Sequence, residues 1–423
     1  MQIDFRALKP FRDYQRSLML VRRLLVLRVL IIGGFVLLGG IFWYLQIAHG
    51  PEYRRKAEEN RLRRRIERPV RGLLLDASGE ILATNRPSFA VYLDRQRTDA
   101  PREAIRELAE LLDDAPEPLI ERFEQERDQP RFMPIRLLED VGLETAARIE
   151  AHRPELPAID VGVEARRHYP LGGAAAHAIG YTSEVTRGEL ERDGLLPGDR
   201  VGRTGAEASY DGDLRGEPGL MLEEVNARGR PLRAVATVRP TRHGRPLKTT
   251  FDAALQKDLA DAFAGRGGAA VFIDPASGAL RAIYSGPSFD PNLFAGRLSS
   301  REWRVLSEDP RRALQNRALA SGYSPGSTFK LLMAAAAAEE EVIGPGETVY
   351  CGGSAVFYGR RFHCHRRWGH GHVGLVEAIT RSCNVFFYTV GDRLGIERIA
   401  KWARRFGLGR PTKLGLAGEI AGL

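Results

Sequence analysis

A chain of 423 residues that is 43% apolar and 28% charged has globular composition with room for about two or three domains, which excludes wholesale disorder. Its net charge of +9 raises the question of nucleic acid, but the arginines are scattered or flank an apolar run and no nucleic-acid fold motif is present, so no nucleic-acid partner is expected. Three cysteines, all in the last part of the chain, are an odd count and do not make a disulfide framework.

From Val29 to Leu45 there is no charge, and the apolar run reaches Ala48 with only Gln46 interrupting it. That length crosses a bilayer once, with Trp43 and Tyr44 anchoring the outer end. Arg28 abuts the run and no Ala-x-Ala site follows, so an uncleaved anchor over 24–48 is expected instead of a signal peptide. Basic residues lie on both sides, Arg22, Arg23 and Arg28 before it and Arg54, Arg55, Lys56 and Arg61 after it, so charge alone hardly sets the orientation. A short tail, 1–23, is expected to stay cytoplasmic.

Beyond the anchor, Glu58 to Arg65 reads as a charged helical stalk. Leu73 to Leu75 and Ile81 to Ala83 flank an Asp-x-x-Gly turn, Asp76 to Gly79, and predict a β-hairpin. Pro101 to Ala151 is patterned as amphipathic helices, and short strands with Gly/Pro turns are expected from there to about Leu247. A second domain opens near Leu247 with Asp252, a helix over Ala253 to Phe263, and two apolar strands joined by Asp274-Pro275-Ala276-Ser277-Gly278. Helices around Ser327 to Glu340 and Leu375 to Leu394 are expected to pack against that hairpin, giving an α+β fold.

The chemistry concentrates at Tyr323-Ser324-Pro325-Gly326-Ser327-Thr328-Phe329-Lys330, followed at once by an apolar run from Leu331 to Ala337. Pro and Gly stop what precedes, so Ser327 falls in the first turn of a buried helix, with Lys330 three residues on along the same face. A hydroxyl is a poor nucleophile until its proton is taken, and an amine in a partly desolvated pocket can take it. Ser-x-x-Lys alone is a weak signal, since any Ser and Lys can fall three apart on a solvated helix; the Leu, Met and Ala after Lys330 draw the lysine inward.

These segments together resemble a class B penicillin-binding protein, a single-span transpeptidase that cross-links peptidoglycan. The resemblance is carried by Arg68-Pro69-x-Arg71-Gly72, His177-Ala178-Ile179-Gly180-Tyr181, Gly202 to Glu207, Leu214-Arg215-Gly216, Asn316-Arg317-Ala318 and the Ser327 motif. It implies a single N-terminal transmembrane helix, a β-rich pedestal (dimerisation) domain over 49–246 and a penicillin-binding, β-lactamase-like transpeptidase domain over 247–423. It also implies a serine-type D,D-transpeptidase of the D-Ala-D-Ala carboxypeptidase class. Ser327 would be acylated by the D-Ala-D-Ala stem peptide or by a β-lactam, with Lys330 taking its proton. Ser382-Cys383-Asn384 fits the family's Ser-x-Asn motif; read as an extended segment it turns Ser382 and Asn384 the same way, the first to relay a proton to the leaving amine and the second to bind substrate backbone. The third motif, Lys-Thr-Gly or Lys-Ser-Gly, is absent: Lys413-Leu414-Gly415 lacks the hydroxyl and comes too soon after Asn384, so a truncated form is expected.

Phe362 to Asn384 resembles the elongation-type enzymes of this class, which implies an inner-membrane protein whose pedestal meets a polytopic glycosyltransferase of the shape, elongation, division and sporulation family and other elongation-complex proteins. A β-lactam sensor would carry several spans and a cytoplasmic signalling domain, whereas one span and a short tail are read here. A non-catalytic scaffold that activates the glycosyltransferase through the pedestal is compatible with the enzyme reading.

Cys351, Cys364 and Cys383 bracket His363, His365, His370 and His372. Thiolate and imidazole are zinc's preferred ligands, but no Cys-x-x-Cys is present, so the residues alone leave open a structural zinc or three unrelated thiols. Some elongation-type relatives carry zinc on Asp, Asp, His and Cys, and the resemblance maps those ligands onto Cys351, Cys364, His370 and Cys383, with His372 as a spare.

Overall fold

The computed structural model describes residues 9–129, 131, 133–190, 195–226, 231–296, 298 and 300–422. Residues 1–8 of the expected tail, and residue 423, lie outside the described residues. Two compact units are present, one formed by Met1–Arg68 with Pro218–Thr241, the other by Pro69–Glu217 with Arg242–Leu423.

In the first unit a helix runs over Lys9–Trp43 and continues as one wider turn over Tyr44–Ala48. Arg23–Ala48 spans 26 residues and holds an 18-residue stretch with a mean hydropathy of 2.5, long and apolar enough to cross a membrane. The expected stalk is shorter than its charge pattern suggests: the helix Gly50–Arg61 stops at Arg61, and Leu62–Glu67 is a strand. That strand pairs antiparallel with Gly219–Val225, which pairs in turn with Pro231–Arg239. Arg65 reaches Glu223 across the pair at 2.7 Å. The pairing partner comes from far along the chain, so local charge could not reveal the strand.

The second unit begins with the expected hairpin, Leu74 opposite Ala83 and Leu75 opposite Ile81. Its turn is built by Asp76, whose Oδ1 accepts from the amides of Ser78, Gly79 and Glu80 and from the Ser78 hydroxyl at 2.7–2.8 Å. Burial opposes the carboxylate charge, but these bonds and one from Ala253 outweigh it and hold the group at about 2. Ile81–Leu93 is the central strand, flanked by Ile135–Val141 and Ile159–His168, and Leu247–Lys248 closes the other side by pairing parallel with Leu74–Leu75. Pro101–Leu111, Glu117–Gln125 and Leu143–Ala151 are helical as their patterning predicts. The strand Ile135–Val141 between them is not.

Family-like segments converge on Glu207, which has no solvent exposure. Its carboxylate takes Arg71 Nε at 2.6 Å and Arg167 Nε at 2.7 Å, with the Tyr169 hydroxyl at 3.3 Å. Gly180, at φ +82°, passes so close to the Gly202–Glu207 turn that a Cβ there would lie 1.8 Å from the Thr204 carbonyl.

Downstream, Asp252 caps the helix Ala253–Phe263 by accepting from the Leu255 amide at 3.0 Å. Gly268–Ile273 and Leu280–Gly286 form the expected antiparallel pair around the Asp-Pro-Ala-Ser-Gly turn. The packing differs from the sequence expectation. Leu255, Leu259 and Phe263 of the capped helix cover Ala282 and Tyr284 of that pair. The helices Phe329–Glu339 and Asn384–Arg405 instead bury Leu332, Met333, Ala336 and Ala337 against Val385, Phe386 and Val390. Alanines on the first helix let the second approach closely, so the two satisfy each other's apolar faces.

Candidate active site

Pro325 and Gly326, the latter at φ +56°, turn the chain into a short 3-10 segment, Gly326–Thr328, that leads into the helix Phe329–Glu339. The Thr328 hydroxyl donates back to the Pro325 carbonyl at 2.6 Å and fixes the turn. Ser327 is exposed at this corner, while Lys330 is half-buried one turn further on.

The Ser-x-Asn segment is a corner between helices, not the extended stretch its spacing suggested. Leu375–Thr380 ends, Ser382 adopts φ +50°, and Asn384 opens the long helix to Arg405. One residue in the left-handed region reverses the chain so tightly that Ser382 and Asn384 still face one point. That point is Lys330, whose Nζ donates to the Ser382 carbonyl at 2.8 Å, the Ser382 hydroxyl at 2.9 Å and Asn384 Oδ1 at 2.6 Å. The Ser382 hydroxyl donates to Ser327 Oγ at 3.2 Å. Ser382 therefore stands between Ser327 and Lys330, where the sequence reading placed Lys330 directly on Ser327.

Desolvation draws the Lys330 ammonium below its ordinary value, opposed by the sulfurs of Cys364 and Cys383. Two contacts here have no sequence signal of their own. The Phe387 ring lies 5.7 Å from Lys330 Nζ, and Asn384 Nδ2 donates to the His363 carbonyl at 3.4 Å.

Behind this corner Cys351, Cys364, His370 and Cys383 bring their ligand atoms within 4.8 Å of one another. Cys383 is fully buried. Cys351 Sγ and Cys364 Sγ lie 3.7 and 3.6 Å from His370 Nδ1. Tetrahedral zinc, with Zn–S about 2.3 Å and Zn–N about 2.0 Å, sets that edge at about 3.5 Å. Burial opposes ionisation of Cys364, yet the amides of Arg366, Asn384 and Val385 draw its thiol below the ordinary value. Burial pushes the Cys383 thiol up to about 12. The donor set thus suits a cation that supplies the missing positive charge. His372 is outside the group, 3.4 Å from Thr348 Oγ1. Lys413 lies in an irregular segment where Glu419 accepts from Thr412 and Lys413 amides, not on a strand beside Ser327.

Residues 66–249 match the family model of the penicillin-binding protein dimerisation domain, and residues 268–423 match that of the penicillin-binding protein transpeptidase domain. The chain belongs to the penicillin-binding proteins. It is 34% identical to the peptidoglycan D,D-transpeptidase MrdA of Escherichia coli K12 over 97% of its length, and 32% identical to that of Haemophilus influenzae over 98%. It spans 66% and 65% of the lengths of these two relatives. A solved complex of penicillin-binding protein PBP2 with MreC from Helicobacter pylori superposes with a TM-score of 0.78 at 26% identity, covering 86% of this chain and 69% of that one.

Proposed function

We propose that the protein is an elongation-type peptidoglycan D,D-transpeptidase in which Ser327 forms an acyl-enzyme with the stem peptide. The observation that carries this reading is the path from Ser327 Oγ through the Ser382 hydroxyl to Lys330 Nζ, at 3.2 and 2.9 Å. With Lys330 neutral, its extra proton released to solvent, the Ser382 hydroxyl turns to donate to Nζ and receives the Ser327 proton as it passes its own to the lysine. Ser327 Oγ then bonds to the penultimate D-alanine carbonyl carbon, with the Ser327 amide helping to hold the oxyanion. The carbon–nitrogen bond breaks, D-alanine leaves with the proton returned through Ser382, and a neighbouring stem-peptide amine takes the acyl group. Water in place of that amine makes the reaction a carboxypeptidation. A β-lactam ring opens on the same oxygen.

Residues 49–246 act as the pedestal and 247–423 as the catalytic domain in this reading, with everything after the span outside the cytoplasm. The Helicobacter pylori complex with MreC supports an elongation-complex partner for the pedestal, and a polytopic glycosyltransferase is the second partner proposed. Incubation of the membrane-anchored protein with a fluorescent penicillin tests the assignment: labelling is expected, and Ser327→Ala abolishes it. Label that persists in that variant removes Ser327 from the role.

Cys351, Cys364, His370 and Cys383 are proposed to hold a structural zinc. Bound there, the ion neutralises the thiolates and fixes the corner that presents Ser382 and Asn384. Elemental analysis is expected to give about one zinc per chain. A chelator and Cys383→Ser each lower the melting temperature by linkage. Metal-free protein whose melting is indifferent to chelator overturns the assignment.

A further inference from the structure

Between Glu347 and Glu377 there is no acidic residue, yet the stretch holds Arg360, Arg361, Arg366 and Arg367. The two flanking carboxylates are already taken, Glu347 by Arg393 at 2.6 Å and Glu377 by Arg381 at 2.8 Å. All four arginines are exposed, and among the described residues none of them forms an ion pair. Their place is set by the hairpin Ser354–Phe357 and Arg360–His363 and by the loop that follows it. Phe357 and Phe362 turn toward Tyr388 of the long helix, with ring centroids 6.3 and 5.3 Å away. Alternation then puts Arg361 and His363 on the opposite, outer face, where Arg361 Nη1 donates to Ser354 Oγ at 3.1 Å, while Arg360 is exposed at the start of the strand, on the Phe362 side. The same strand ends at the His363 carbonyl that receives Asn384 Nδ2, so this basic face begins one residue contact from the catalytic corner.

We propose that Arg360, Arg361, Arg366 and Arg367 form a docking rim beside Ser327 for the carboxylates of the peptides on a peptidoglycan strand. This rests on the reading of Ser327 as the acyl-transfer nucleophile. Guanidinium groups with no internal carboxylate meet external ones in planar, two-point bonds, and an exposed rim lets a long polymer slide while one stem peptide enters. The attraction is screened by salt.

The test measures binding of the purified protein to soluble peptidoglycan strands, native or with carboxylates amidated, and to vesicles of anionic phospholipid. Replacing all four arginines by glutamine is expected to weaken binding to native strands about tenfold and leave binding to amidated strands unchanged. The all-lysine variant, which keeps the charge, stays within about threefold of the parent. Melting temperature, zinc content and penicillin labelling stay as in the parent, which separates this rim from the acylation chemistry: a parent that takes no label at Ser327 sinks the enzyme reading, whereas the strand-binding comparison tests the rim. Equal affinity of the glutamine variant for native strands overturns the rim, as does an equal loss on amidated strands. A variant that loses only vesicle binding shows that the arginines serve the membrane instead.

Discussion

Arginine is used in two opposite ways in this protein. Around Glu207 the Arg71 and Arg167 guanidiniums meet a carboxylate with no solvent exposure, whereas Arg360, Arg361, Arg366 and Arg367 face water with no carboxylate of their own. The buried centre joins segments that are remote in sequence, Arg71 to Arg167 to Glu207, and each charge is tolerable only because the others are there. The exposed rim joins no carboxylate within the fold; Arg361 reaches only the neighbouring Ser354 hydroxyl. A charge that neither holds the structure together nor is hidden from solvent is available to a ligand.

Glu207→Gln breaks this comparison most directly, because Arg167 is left without a carboxylate in a dry site and Arg71 keeps only Asp211, at 2.8 Å. Unfolding by denaturant is expected to show a loss of about 3–5 kcal/mol, and a loss under 1 kcal/mol would mean that the centre is wetter or looser than its geometry. His177 offers a buried but uncharged counterpart. Burial pushes its imidazole down to about 4, against the bond between Nε2 and the Ala313 carbonyl at 3.0 Å, while Arg317 depresses it further. The unfolded imidazole titrates near 6.5 and therefore binds more protons between those values. Stability is thus complete above pH 6.5 and falls as pH drops toward 4, by about 3 kcal/mol in all. His177→Gln should flatten that fall when midpoints at pH 7 and pH 4.5 are compared with those of the parent. The smallest effect belongs to the rim, where the four-glutamine variant is expected to keep its unfolding free energy within about 0.5 kcal/mol. A larger change would show that these arginines do structural work after all.

What could be read in advance was local. Asp76 with Gly79, Asp252 before an apolar helix, and Pro325-Gly326 before Ser327 each state their turn or cap within four residues, and each is found as written. The membrane-length helix and the clustering of Cys351, Cys364, His370 and Cys383 were legible too, the first from its unbroken apolarity and the second with help from the family resemblance. Misreadings came where the deciding contact is distant. Ile135–Val141 is a strand because Ile81–Leu93 offers it an edge, and nothing in Ile-Arg-Leu-Leu-Glu-Asp-Val announces that edge. Ser382 takes a left-handed backbone that its side chain does not favour. The Cys383 amide reaches back to the Ala378 carbonyl at 2.8 Å and closes the helix through Ser382, so a period-two reading of Ser382 and Asn384 reached their convergence by the wrong geometry.

The parallel pairing of Leu247–Lys248 with Leu74–Leu75 sets a clock on biogenesis. The hairpin at Asp76 can form as soon as it is synthesised, but its outer edge stays open until residue 248 exists. At about 5–20 residues per second that wait lasts roughly ten to thirty-five seconds. An open strand edge invites foreign strands, so a chaperone that shields residues 74–75 during this interval would raise the yield of folded protein, and one acting after residue 248 has emerged would not.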